Sequence, residues 1–195
     1  MIYKSLAAAL TALAIVGVAP SAQAAQGDLV VRLKAINIDP DASSDIAGLD
    51  VDDQATAEIG LTYFFRPQWA VDVGITTAKH DITLNGARTG DTQILPINVT
   101  AQYHFMPNGK IRPYVGAGLN YTRFSDVNIL GGAVDLDSDS FGPVVQAGVD
   151  WALTDQWMVN FDVKKIWIST DASGAASGGV DVDPWVYGVG VGFKF

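Results

Sequence analysis

Trp185-Val186-Tyr187-Gly188-Val189-Gly190-Val191-Gly192-Phe193-Lys194-Phe195 decides the fold, because large apolar residues fill every odd position while the even positions hold only Val, Gly and Lys. A period of two marks a β-strand whose two faces meet different surroundings. The same contrast recurs upstream, always with the apolar face on odd numbers. Leu29, Val31, Leu33 and Ala35 alternate with Val30, Arg32, Lys34 and Ile36, and Ile59, Leu61, Tyr63 and Phe65 alternate with Glu58, Gly60, Thr62 and Phe64. Comparable segments cover residues 69–76, 95–105, 114–122, 145–153 and 157–164, which makes eight strands. The alternation slips only around Lys164-Lys165.

The connections alternate as regularly as the faces do. Tight turns are expected at 66–68, at 106–110 with its Asn108-Gly109 signal, and at 154–156. Long polar connections cover approximately 37–54, 79–91, 125–139 and 171–183. In outer-membrane barrels short turns face the periplasm and long loops face outward, which would put both chain ends in the periplasm.

The chain has 195 residues, 49% of them hydrophobic, no cysteine and a formal net charge of −9. That length fits one domain, the acidic balance argues against a nucleic-acid partner, and the missing thiols exclude disulfides and cysteine chemistry. Residues 1–24 read as a signal peptide. Lys4 supplies the positive start, residues 6–18 the apolar run, and Ala22-Gln23-Ala24 the small-residue cleavage pattern. The run is shorter than the roughly 20 residues of a spanning helix. Residues 25–195 are then the barrel domain.

An apolar band on every strand has no partner in water when the other face already fills a narrow interior. Lipid is the solvent that accepts it, and strands span lipid only when the sheet closes. The expected fold is therefore all-β, a transmembrane eight-stranded antiparallel up-and-down β-barrel. A soluble sandwich or lipocalin-like barrel would turn its apolar face inward and would not crowd aromatics at exposed turns. Tyr63, Phe65, Trp69, Tyr103, Phe105, Trp151, Trp157, Phe193 and Phe195 fit a periplasmic girdle, and Tyr121, Trp167 and Trp185 an outer one. Gly60, Gly74, Gly116, Gly118, Gly148, Gly188, Gly190 and Gly192 fall on the inward face, where room is scarce.

Charged residues of both signs also take even numbers. Arg32, Lys34, Glu58, Asp72, Arg112, Asp150, Asp162, Lys164 and Lys194 should face the lumen, and pairing is favoured because unpaired buried charge is expensive. Arg32 or Lys34 with Glu58 is the neighbour-strand set expected. Pro96, Pro143 and Pro184 near the outer strand ends remove ladder donors; strand starts explain them, and weakened pairing for a sideways exit is the alternative. The two histidines, His80 and His104, have no accompanying serine pattern, so no enzymatic activity is expected. Asp135-Leu136-Asp137-Ser138-Asp139 lacks the glycine of a calcium loop and has Gln146 where the closing glutamate belongs, so neither metal nor cofactor is expected.

Arg112-Pro113-Tyr114-Val115-Gly116-Ala117-Gly118-Leu119-Asn120-Tyr121 and the ending Asp183 to Phe195 resemble the corresponding strands of the OmpW family, as do Gln146 to Asp150 and Trp157 to Asn160. The resemblance covers essentially all of residues 25–195. It implies a Gram-negative outer-membrane barrel with a narrow, porin-like interior that admits small hydrophobic molecules. A structural or surface-interaction barrel acting through its loops is the competing expectation. On the conduit reading, Thr76, Asn98, Asn120, Lys164 and Val186 line the way in, above a floor crowded by Arg32, Asp150, Lys194 and His104. Outer-membrane lipid, lipopolysaccharide and the barrel assembly machinery are the implied partners. Phe193 and Phe195 resemble the sorting signal that this machinery reads. Deleting Phe195 is expected to lower the folded fraction, measured as heat-modifiable migration on a detergent gel against the full chain; an unchanged fraction refutes the assignment.

Overall fold

The barrel closes where strand one meets strand eight. In the computed structural model, which describes residues 26–40, 42–44, 49–51, 54–84, 87–129, 134–136, 139–174 and 178–195, the eight barrel strands run in chain order. They are β1 (Leu29–Asp39), β2 (Gln54–Arg66), β3 (Trp69–Thr76), β4 (Ala87–His104), β5 (Ile111–Ile129), β6 (Asp139–Ala152), β7 (Trp157–Ile166) and β8 (Trp185–Lys194). Every pairing between neighbours is antiparallel, and β1 pairs with β8 from Val30↔Lys194 to Asp39↔Trp185. Residues 1–24, the expected signal peptide, lie outside the described residues, as does part of the acidic run 135–139.

The turn end is tight. Gly109 N donates to Met106 O at 3.1 Å, and Trp157 N donates to Thr154 Oγ1 at 2.9 Å, which fixes two of the three short connections. The loop end departs from expectation, because much of the long polar connections is itself strand. Ala78–Leu84 extends β3 and pairs with β4 from Ala78↔Ile94 to Leu84↔Ala87. Ser169–Gly174 pairs with Gly178–Val182, and Val134–Leu136, Ala42–Ser44 and Leu49–Val51 join the same sheet. Sequence alone missed these segments because a strand beyond the hydrocarbon needs no lipid-facing row, so the period-two signal fades while the backbone ladder continues.

The two faces are sorted by solvent, with the polar one inside. Arg32 and Glu58 are each 1% exposed, against 52% for Leu33 and 60% for Ile59. An exposed apolar surface of this extent is compatible only with lipid. Rings contact one another at the turn end, Trp69 with Tyr103 at 5.0 Å, Tyr103 with Phe105 at 5.2 Å, and Trp157 with Phe193 at 4.9 Å. Tyr121, Trp167 and Trp185 are exposed toward the loop end. Both belts suit rings that are apolar on one side and wet on the other. The slip at Lys164-Lys165 also has a cause. Lys164 points inward and buries, whereas Lys165 lies on the outer face with Nζ 5.2 Å from the Trp185 ring and bonded to Asp183 O at 2.6 Å. Its stem covers apolar surface while its charge reaches the polar rim.

Closing so narrow a barrel brings backbones close together, and glycine permits it at several places, Gly190, Gly118 and Gly142 among them. A Cβ on Gly190 would collide with the Leu33 carbonyl oxygen and come 2.7 Å from Lys34 Cα. One on Gly118 would collide with the Val99 carbonyl oxygen and come 2.7 Å from Thr100 Cα. Backbone cannot swing aside as a side chain can. A Cβ on Gly60, by contrast, would sit 3.6 Å from Arg32 Cβ, an ordinary contact. Gly190→Val is therefore expected to destabilise the barrel by at least about 3 kcal/mol, the upper part of the overpacking range. Gly60→Ala should change stability by less than about 1 kcal/mol. Denaturant unfolding in micelles measures both, and equal effects would refute the close-approach account.

Candidate functional site

The lumen is the candidate site, and its side chains form three layers. At the turn end, Val30, Phe64, Ala70 and Met158 make a buried apolar floor. His104 sits between the rings of Phe64 at 4.8 Å and Tyr114 at 4.9 Å, with Nε2 3.1 Å from Gln102 Oε1. Lys194 Nζ lies 3.3 Å from Asp28 Oδ2, and Arg112 Nε donates to Gly109 O at 2.8 Å. The chain ends and turns are tied to the floor by these contacts.

Above the floor lies a layer of buried ion pairs. Arg32 on β1 donates Nη2 to Asp150 Oδ2 on β6 at 2.7 Å, and its Nη1 bonds Thr62 and lies 3.5 Å from Asp72 Oδ1. Thr62 Oγ1 donates to Asp72 Oδ1 at 2.5 Å, while Asn160 Nδ2 donates to Asp150 Oδ1 at 2.8 Å and to the Tyr114 hydroxyl at 3.0 Å. One step nearer the loops, Lys34 Nζ reaches Glu58 at 2.5 Å and Asp162 at 2.9 Å, and Lys164 Nζ reaches Glu58 at 2.6 Å and Asp162 at 3.5 Å. Two ammonium groups thus share two carboxylates. Arg32 with Asp150 and Lys34 with Asp162 join strands that are not sheet neighbours, so these bonds cross the lumen. Each charge offsets the desolvation of its partner, and removing one would leave the other stranded at a cost of roughly 3–5 kcal/mol.

The third layer, nearest the loops, is apolar on the inside of the barrel. Ile36, Ile38, Val144, Ile166, Ile168 and Val186, joined by Ile94, pack into one buried cluster. Polar groups beside it are paired among themselves, with Asn120 Nδ2 donating to Asn98 Oδ1 at 3.0 Å and Thr122 Oγ1 to Asn120 Oδ1 at 2.8 Å. Of the residues expected to line the way in, Thr76, Asn98, Asn120 and Val186 are buried inward in this region. Lys164 is buried inward too, but its ammonium belongs to the ionic layer. The isoleucines were missed because each strand was read as one apolar and one polar face. The available signal was a run of branched apolar residues at even positions beside the long connections.

The ladder of the wall is interrupted beside Pro96. Pairing of β3 with β4 runs from Trp69↔Tyr103 to Ile75↔Ile97 and resumes only at Ala78↔Ile94, so Leu95 and Pro96 face an interruption at Thr76 and Thr77. The Thr77 carbonyl instead accepts from Thr56 Oγ1 on β2 at 2.8 Å. Pro143 does not behave this way, and the weakened pairing weighed as the alternative for it is not seen. It stays in register opposite Leu119, and its carbonyl accepts from Trp167 N at 3.1 Å. The Pro184 carbonyl likewise accepts from Ile166 N at 3.2 Å. A missing donor can be absorbed when the carbonyl still has a partner.

The chain is similar in sequence and fold to known outer-membrane proteins. The OmpW family model matches residues 25–195. Outer membrane protein W of Vibrio cholerae is 33% identical over 98% of this chain and 100% of its own length. A protein named for a dibenzothiophene metabolism operon in Pseudomonas aeruginosa, PahQ, is 31% identical over 75% of this chain and 74% of its own. The crystal structure of the outer membrane protein OprG from Pseudomonas aeruginosa superposes with a TM-score of 0.79 at 28% identity, covering 90% of this chain and 98% of that one. With a closed eight-stranded barrel, a lipid-compatible outer face and these relatives, the chain belongs to the OmpW family and is a β-barrel of the outer membrane.

Proposed function

We propose that the barrel conducts small hydrophobic molecules from the cell surface into the outer membrane, leaving through its side wall. The observation that carries this reading is the apolar cluster of Ile36, Ile38, Val144, Ile166 and Val186 inside the loop end, standing on a layer of ion pairs. An apolar solute gains by entering the first layer and loses by entering the second, so the axial path ends there. A lateral path needs a wall that parts without breaking many backbone bonds. The interruption opposite Pro96 meets that need and lies beside Ile94 of the cluster. The operon name carried by the relative PahQ, dibenzothiophene metabolism, suits an apolar aromatic permeant.

In the same reading residues 1–24 are a signal peptide cut after Ala24, which the start of the family match at residue 25 supports. Phe193 and Phe195 present the sorting signal to the assembly machinery, and the loop end meets lipopolysaccharide. Asn120→Trp would fill the base of the apolar layer, so cells carrying it should take up a hydrophobic reporter several-fold more slowly than cells with the unaltered chain, at matched folded amounts. Equal uptake with the unaltered chain, Asn120→Trp and no protein would remove the conduit and leave a structural or surface-binding barrel.

A further inference from the structure

In the lumen, several buried polar atoms make no hydrogen bond within the described protein. They are both amide atoms of Gln146, Thr100 Oγ1, Asn160 Oδ1, Asp162 Oδ1 and, on β1, Arg32 Nε. Gln146 is 5% exposed and Thr100 1%, so bulk solvent does not explain them. Elsewhere the lumen pairs its polar groups closely, as Asn98 with Asn120 and Lys164 with Glu58 show. Unpaired buried groups are costly, and three of these six, on Gln146 of β6 and Thr100 of β4 in adjoining rows, point to an occupant at this stretch of wall.

Register places this stretch next to the cluster. Gln146 follows the cluster residue Val144 by two positions on the same inward face and pairs in register with Lys164. Thr100, Gly118 and Val144 lie in one row across β4, β5 and β6. The Gln146 side chain lies over Gly116, its Cγ only 2.9 Å from where a Cβ would stand there, and so reaches across β5 toward β4.

We propose that Gln146 and Thr100 form a head-group subsite for amphipathic solutes bearing one uncharged hydrogen-bonding group, typified by a long-chain alcohol. The assignment rests on the conduit reading and narrows its substrate class. The primary amide offers a donor and an acceptor, and an alcohol hydroxyl presents both in return. A carboxylate head would meet Glu58 and Asp162, an ammonium head would meet Lys34 and Lys164, and these four already balance one another. A neutral head disturbs none of them. The tail of the solute would then lie along Val144, Ile166 and Val186.

The test compares uptake of radiolabelled dodecanol and dodecane by cells with the unaltered chain, Gln146→Leu, Thr100→Val or no protein, at matched folded amounts. Gln146→Leu should reduce protein-dependent uptake of dodecanol about fivefold to tenfold, the ratio set by one lost neutral hydrogen bond, and leave dodecane unchanged. Thr100→Val, which keeps side-chain shape, should reduce dodecanol in the same direction and serves if Gln146→Leu folds poorly. Equal effects on both solutes, or none on either, would overturn the subsite while leaving the conduit standing, with water as the occupant of those polar atoms. Uptake of both solutes that does not depend on the protein would overturn the conduit, and the subsite with it.

Discussion

Everything in this molecule follows from one requirement, that a backbone in hydrocarbon must satisfy every N–H and C=O from within the chain. The β1 to β8 pairing meets it by abolishing both sheet edges. Eight strands then enclose an interior hardly wider than their side chains. Crowding follows, and with it the close backbone approaches at Gly118 and Gly190. Because the apolar residues have been given to the outside, the interior must be built largely from polar groups that satisfy one another.

That inversion explains why the lumen resembles a protein core in packing but not in composition. Arg32, Lys34, Glu58, Asp150, Asp162 and Lys164 are all nearly inaccessible, and each is held by a partner of opposite sign. Such pairs gain little over apolar packing, yet they define a barrier in a way apolar packing would not. Above them the cluster around Ile36 and Val144 restores ordinary hydrophobic surface inside the barrel. The boundary between these layers divides the lumen into an apolar region beside the loops and an ionic region beneath it.

Much of this was legible in the sequence. Odd and even numbering separated lipid from lumen because each barrel strand crosses the same slab and keeps its phase. The Lys34 to Glu58 pair was legible too, since β1 and β2 are adjacent both in sequence and in the sheet. The bonds of Arg32 to Asp150 and Lys34 to Asp162 were not, because they span the lumen and depend on strand tilt and stagger, which no local pattern encodes. The apolar layer escaped for a different reason. A face that is polar on average hides a local reversal at its end, and Ile36, Ile166 and Val186 stand at three such ends. Pro96 and Pro143 look alike in sequence, and only the partner of each neighbouring strand separates a gap from an intact ladder.

The pairing of β1 with β8 also orders events in time. The first strand finds its last partner only when the last strand exists, and the Arg32 to Asp150 and Lys34 to Asp162 bonds join residues 118 and 128 positions apart. Contacts of such long range form late and slowly, since the loop entropy must be overcome before they contribute. Through most of folding, therefore, Arg32 and Lys34 lack their cross-lumen carboxylates and β1 carries an unsatisfied edge. The chain can enter hydrocarbon only as a nearly finished cylinder. Closure and burial of the sheet edges are thus linked in this sequence, and the first barrel strand in the chain is among the last to acquire its full set of neighbours.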